Sequence, residues 1–190
     1  MGQKETFINN AFITWFNSRY QELIAAALLK RWHTVDSFCQ VGIAITAATS
    51  AISSWPLWTK PGMQIIWAII GGVIALVAIG HKAIGVVDQV KTWSGAKKAF
   101  ATLRNELETL RQETDMSFDQ SAADLNKRYK EIRSKFEQED SETPTTDWLL
   151  SDWLANSAKL KLLDSIEKTA FEEELKLVRA QYQPGGGETK

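Results

Sequence analysis

The sequence predicts an all-α protein: a two-span transmembrane helical hairpin with a cytoplasmic helical bundle or coiled-coil-like extension. Three observations lead there. Ser37 to Thr59 carries no charged side chain over 23 residues and Pro61 to Gly80 none over 20, each enough for a helix crossing a hydrocarbon core, which takes about 20 residues. Basic residues and histidines crowd the far ends of both stretches (Lys30, Arg31 and His33 before; His81, Lys82, Lys91, Lys97 and Lys98 after), with Lys60 alone between them. Downstream, apolar residues return at intervals of three and four, the period of an amphipathic helix.

The mean hydropathy of the 190 residues, −0.22, is that of a soluble protein, but it averages over a strong partition. Residues 35–90 hold only Asp36, Lys60, Lys82 and Asp88 as charges, whereas Lys91 to Asp140 holds ten basic and ten acidic side chains. A soluble helix keeps a charged face toward water, and neither apolar stretch has one. The alternative, two core helices of a soluble bundle, would need more surrounding protein than the rest of the chain supplies.

The first element, residues 1–34, is expected as a cytoplasmic amphipathic helix, clearest over Asn9 to Lys30, with Phe12, Trp15 or Phe16, Tyr20, Leu23 and Ala27 on one side. The interrupted pattern near the start does not fit a signal peptide. Residues 35–90 form the hairpin, with spans at about 36–56 and 62–82. By the positive-inside rule both termini are cytoplasmic and the turn is outside. Pro56, Pro61 and Gly62 close one helix and admit the next, and Trp55 and Trp58 suit the interface.

Projection at 100° per residue places Thr46, Thr49, Ser50 and Ser53 along one stripe of the first span. They are candidate pore-lining residues if several copies associate; the other reading is hydroxyls bonding their own helix carbonyls. In the second span Ala68, Gly71, Gly72 and Ala75 make a small-residue face, the candidate helix-packing surface. Asp36, at the entry to the first span, is costly there unless it reaches water, bonds N-terminal amides, or pairs with Lys82 or Arg31, so it is read as a cap or the mouth of a pore. His33 and His81 bracket the spans at similar depth and would form a proton-sensitive pair if they faced one another.

Residues 91–183 are expected as a cytoplasmic helical region. Phe100, Leu103, Leu107 and Leu110 make one seam and Leu125, Tyr129, Ile132 and Phe136 another, with a break near Asp115 to Ser121, the pattern of a helical hairpin. A linker around Pro144, with Thr146 or Asp147 as N-cap, leads to a helix bearing Trp148, Trp153, Leu160, Leu163 and Ile166. Trp148 and Trp153 are core anchors or candidate partner-binding residues. Residues 184–190 form a flexible Gly-rich tail.

No Walker-type loop, paired His/Glu motif or nucleophile elbow occurs, and one cysteine with two histidines is too few for a zinc site. No catalytic, cofactor or metal residue is expected, and balanced charge argues against direct nucleic-acid binding.

The order of a basic-ended amphipathic helix (Arg31-Trp32-His33), two closely spaced membrane helices and then "AKKAFATLRNELETLRQE" resembles the SLATT families of two-transmembrane effectors of bacterial anti-phage systems, including similar retron-associated membrane effectors. The likeness covers roughly Asn9 to Arg133; Asp36 and the chain beyond Glu139 depart from it. It implies a non-enzymatic inner-membrane effector that binds the lipid bilayer, forms homo-oligomers, and is restrained by a cytoplasmic sensor protein or ribonucleoprotein encoded nearby. On release such an effector permeabilises or depolarises the membrane and causes abortive infection. The alternative is a non-toxic membrane-anchored scaffold that recruits a partner through its cytoplasmic helices.

Overall fold

The computed structural model describes residues 3–51, 61–144 and 147–167. They are helical, with no strand among them: α1 spans Gln3–Ala51, α2 Pro61–Ile84, α3 Val86–Glu142 and α4 Asp152–Glu167. The expected hairpin turn, Ser53 included, and the Gly-rich tail lie outside the described residues. The chain divides into two compact units, one built from residues 1–27 and 94–190, the other from residues 28–93. No helix boundary falls at residue 34: α1 runs on for 49 residues, since nothing between Lys30 and Asp36 breaks a helix.

α3 holds 57 residues yet doubles back on itself. Lys135 Nζ lies 3.1 Å from Glu106 Oε2, a pair that a straight helix at 1.5 Å per residue would separate by about 43 Å. Arg128 also pairs with Glu113, and Phe100 packs against Phe136 with ring centroids 5.9 Å apart. The expected helical hairpin is therefore present, its reversal between Glu113 and Arg128.

Among the described residues the first unit is a bundle of four helical segments. Along α3 the buried positions Ala96, Phe100, Leu103, Leu107, Leu110 and Thr114 alternate steps of four and three, and Leu125, Tyr129 and Ile132 continue the seam on the return arm. The N-terminal part of α1 runs antiparallel to the first arm, as Trp15 meets Glu108 and Glu22 meets Arg104. It runs parallel to the second arm, as Thr14 meets Tyr129 and Gln21 meets Asp140.

Two stripes of α1 are buried. Phe12 and Phe16 form a cluster with Leu162 of α4, against which Trp15, Tyr20, Leu23 and Leu163 pack; burial there holds the Tyr20 phenol above its ordinary value. The second stripe, Phe7, Ala11, Thr14, Ser18, Glu22 and Ala25, carries polar side chains that find partners. Thr14 Oγ1 is 3.1 Å from the Asn10 carbonyl and 3.0 Å from Tyr129 Oη, which itself donates to the same carbonyl at 3.1 Å. Ser18 donates to the Thr14 carbonyl at 2.9 Å. Glu22 accepts from Arg19 at 2.7 Å and lies 3.1 Å from Arg104 Nε, a contact close enough for an ion pair but not aligned as a hydrogen bond.

α4 begins later than the sequence pattern suggests. Asp147 Oδ1 accepts from the Leu149 amide at 2.8 Å, closing a turn of its own, and the Ser151 carbonyl receives the first helical amides, Leu154 and Ala155. Leu154, Ala158 and Leu162 face inward, so Trp148 and Trp153 are not core anchors: they are 68 % and 71 % exposed.

Candidate functional site

In the second unit, α1 and α2 are tied by a polar contact between otherwise apolar helices. Asp36 Oδ1 is 2.9 Å from His81 Nε2, and Asp36 Oδ2 accepts from Gln40 Nε2 at 2.8 Å. Both carboxylate oxygens are thereby used, with only 18 % of the Asp36 side chain and 17 % of His81 exposed. Asp36 sits deep within α1 rather than at a helix N-terminus, so no terminal amides are at hand. Its partner is His81, and neither Lys82 nor Arg31 fills that place. His33 is exposed, and the partner of His81 is Asp36.

The contact sets a seam. On α1, Trp32 and Cys39 are buried and Val35, Asp36 and Gly42 half-buried; on α2, Gly71, Ile74, Ala78 and His81 are half-buried at steps of three, four and three. Of the expected small-residue face, Gly71 lies on this seam, whereas Ala68, Gly72 and Ala75 are exposed. A Cβ added at Gly71 or Gly72 would meet nothing within 4 Å. Within one copy these glycines are therefore not needed for close approach. The side chains of Thr46, Thr49 and Ser50 lie outside the description.

Outside the seam both helices of the unit present apolar side chains among the described residues. Ile69, Val73, Leu76 and Ile79 on α2 and Phe38, Val41 and Ile45 on α1 are all more than half exposed. Monomeric soluble proteins rarely show a contiguous apolar patch larger than a few hundred Å². Among the described residues no single helix is long and apolar enough to cross a membrane; the bent pair Ala68–Ile84 and Val86–Thr114, meeting at 42°, qualifies by length and composition. Both apolar stretches of the sequence reach into positions 46–64, whose side chains lie outside the description.

The bend is made at Gly85, whose φ is 65°, a left-handed conformation that costs other L-residues about 1–2 kcal/mol. Its carbonyl accepts from the amides of Asp88 and Gln89 at 2.9 and 3.0 Å, so Gly85 ends α2 and caps α3, with Asp88 as the acid in the first turn. The sequence signal was a glycine three residues before an acid, easily passed over inside a helical pattern.

Breaking the Asp36–His81 contact tests whether it orders this unit. Asp36→Ala, His81→Ala and the double variant should give a coupling of about 1–3 kcal/mol in a thermal-unfolding cycle, the cost of orphaning a largely buried polar group. His81→Gln, which keeps a donor, should recover part of it. Additive single losses would show that the pair contributes nothing.

Among the described residues no cluster of three or more His, Cys, Asp or Glu is placed to hold a metal. Comparison with family models, with curated proteins and with solved structures finds no match to this chain.

Proposed function

We propose that this chain is a membrane effector of a bacterial anti-phage system: a non-enzymatic two-span protein of the inner membrane, both termini cytoplasmic, that oligomerises and permeabilises or depolarises the membrane when a cytoplasmic sensor releases it. The observation that carries the reading is the contrast between the two units. Phe100, Leu107 and Leu110 of the first are buried, while Ile69, Val73 and Leu76 of the second are exposed, a distribution at home in lipid and costly in water.

The four-helix unit would receive the signal, and the second unit would be the lesion-forming part. The exposed Ala68, Gly72 and Ala75 suit contact with another copy, since small residues let membrane helices approach closely. The hydroxyls of Thr46, Thr49, Ser50 and Ser53 would then line a pathway.

Membrane potential read with a dye during induced expression, with and without the neighbouring genes, tests this. Loss of potential only in the absence of the neighbour is the expected result. Thr46→Leu with Ser50→Leu should keep the protein in the membrane and abolish depolarisation; depolarisation that persists would remove the pore-lining assignment.

The exposure of Trp148 and Trp153 favours a second reading, a membrane-anchored scaffold whose α4 recruits a partner. In that case expression would leave the potential intact, and an unrelated hairpin could replace residues 35–80.

A further inference from the structure

The Asp36–His81 contact divides the second unit into two unlike parts. To one side lie its most buried side chains, Leu28, Trp32, Val86 and Trp93, each at most 2 % exposed. To the other side Phe38, Val41, Leu76 and Ile79 are more than half exposed, and no charged side chain follows Asp36 in α1 or precedes His81 in α2. That change, from buried to exposed apolar side chains, is the one a chain makes where it passes from water into lipid.

Among the described residues the exposed lysines of this unit, Lys30, Lys82 and Lys91, all lie on the first side of that contact. Lys30 is six residues before Asp36, about 9 Å along α1, and Lys91 is six residues past the bend at Gly85, about 9 Å along α3. Lys82 adjoins His81 itself. A headgroup layer is about 5–8 Å deep on each face of a bilayer, and a lysine carries its ammonium several ångströms from its own helix. All three charges therefore fall within reach of one layer of phosphates. The acids of the unit do not cancel them: Asp36 is engaged by His81 and Gln40, Asp88 sits in the first turn of α3 where the helix amides face it, and α3 has no further acid until Glu106.

We propose that Lys30, Lys82 and Lys91 form a collar that holds the phosphates of anionic phospholipids around the inner end of the hairpin. Charge selects the occupant: an anionic headgroup complements the three ammonium groups, whereas a zwitterionic one brings a cation of its own and gains little. Each lysine close to an anionic surface strengthens the attraction roughly fivefold, and salt weakens it. Because the lysines come from α1, α2 and α3, the bound lipids hold all three helices at one depth. The inference rests on the membrane reading above and adds to it the class of lipid that this unit takes.

The full chain reconstituted in vesicles tests it, with spin-labelled phosphatidylglycerol and spin-labelled phosphatidylcholine as probes of the lipid held against the protein. The expected result is a severalfold preference for phosphatidylglycerol that falls toward one as salt is raised. The triple variant Lys30→Gln, Lys82→Gln and Lys91→Gln should lose the preference and still immobilise phosphatidylcholine as the native chain does. A second triple variant, Lys127→Gln, Lys130→Gln and Lys161→Gln, changes the net charge equally at exposed lysines of the other unit and should keep the preference. No preference in the native chain, or an equal loss in both variants, overturns the collar while leaving the membrane reading intact. Failure of the native chain to immobilise either lipid overturns both.

Discussion

Arginine at both Val73 and Leu76 should keep this chain out of the membrane. These side chains are 55 % and 71 % exposed, and at such positions on a protein in water a polar substitution is worth within about ±0.5 kcal/mol. In hydrocarbon each arginine at the centre of a spanning helix costs about 2.5–3.5 kcal/mol, so the pair costs about 5–7 kcal/mol. The two solvents thus predict opposite outcomes for the same residues. Carbonate extraction of isolated membranes reads the result: the native chain stays in the pellet and the double variant moves to the supernatant or is degraded. Equal partition of both would mean that α2 does not meet lipid.

Phe100→Ala should cost about 3–5 kcal/mol of bundle stability, as deletion of a buried aromatic ring does. Phe100 is fully buried and touches Phe136 across the hairpin, so its removal opens a cavity between the two arms of α3. At about 2–4 °C per kcal/mol for a chain of this size, the unfolding midpoint should fall by about 6–20 °C. Leu160→Ala, on the outer face of α4 at 67 % exposure, should change it little. A loss at Phe100 no larger than that at Leu160 would show that the arms do not pack through this ring. Circular dichroism on the two variants and the native chain decides between these results.

The hairpin of α3 was legible because Phe100, Leu103, Leu107 and Leu110 keep strict three-and-four spacing, and so do Leu125, Tyr129, Ile132 and Phe136. Periodicity of that kind states which face is buried whatever lies opposite. The second buried stripe of α1 was not legible. Thr14, Ser18 and Glu22 look like solvent-facing residues, and the Tyr129 hydroxyl, the helix's own carbonyls, Arg19 and Arg104 make their burial tolerable. The same limit explains Trp148 and Trp153. Their size suggested the core, but the step from Leu154 to Ala158 to Leu162 is what fills it, leaving the indoles outside.

Asp36 shows the division most sharply. Its place in an apolar stretch, read from the sequence alone, required a partner, because a carboxylate in such surroundings must be bonded or solvated. Which partner was a matter of helix register: the antiparallel approach of α1 and α2 brings His81 to 2.9 Å and leaves the adjacent Lys82 exposed. Helical class, the charge partition and the seams of α3 follow from residue spacing, since each depends on neighbours three or four positions away. The polar stripe of α1 and the pairing of Asp36 with His81 were decided only by tertiary structure, because each depends on which distant helix comes to lie alongside and at what rotation.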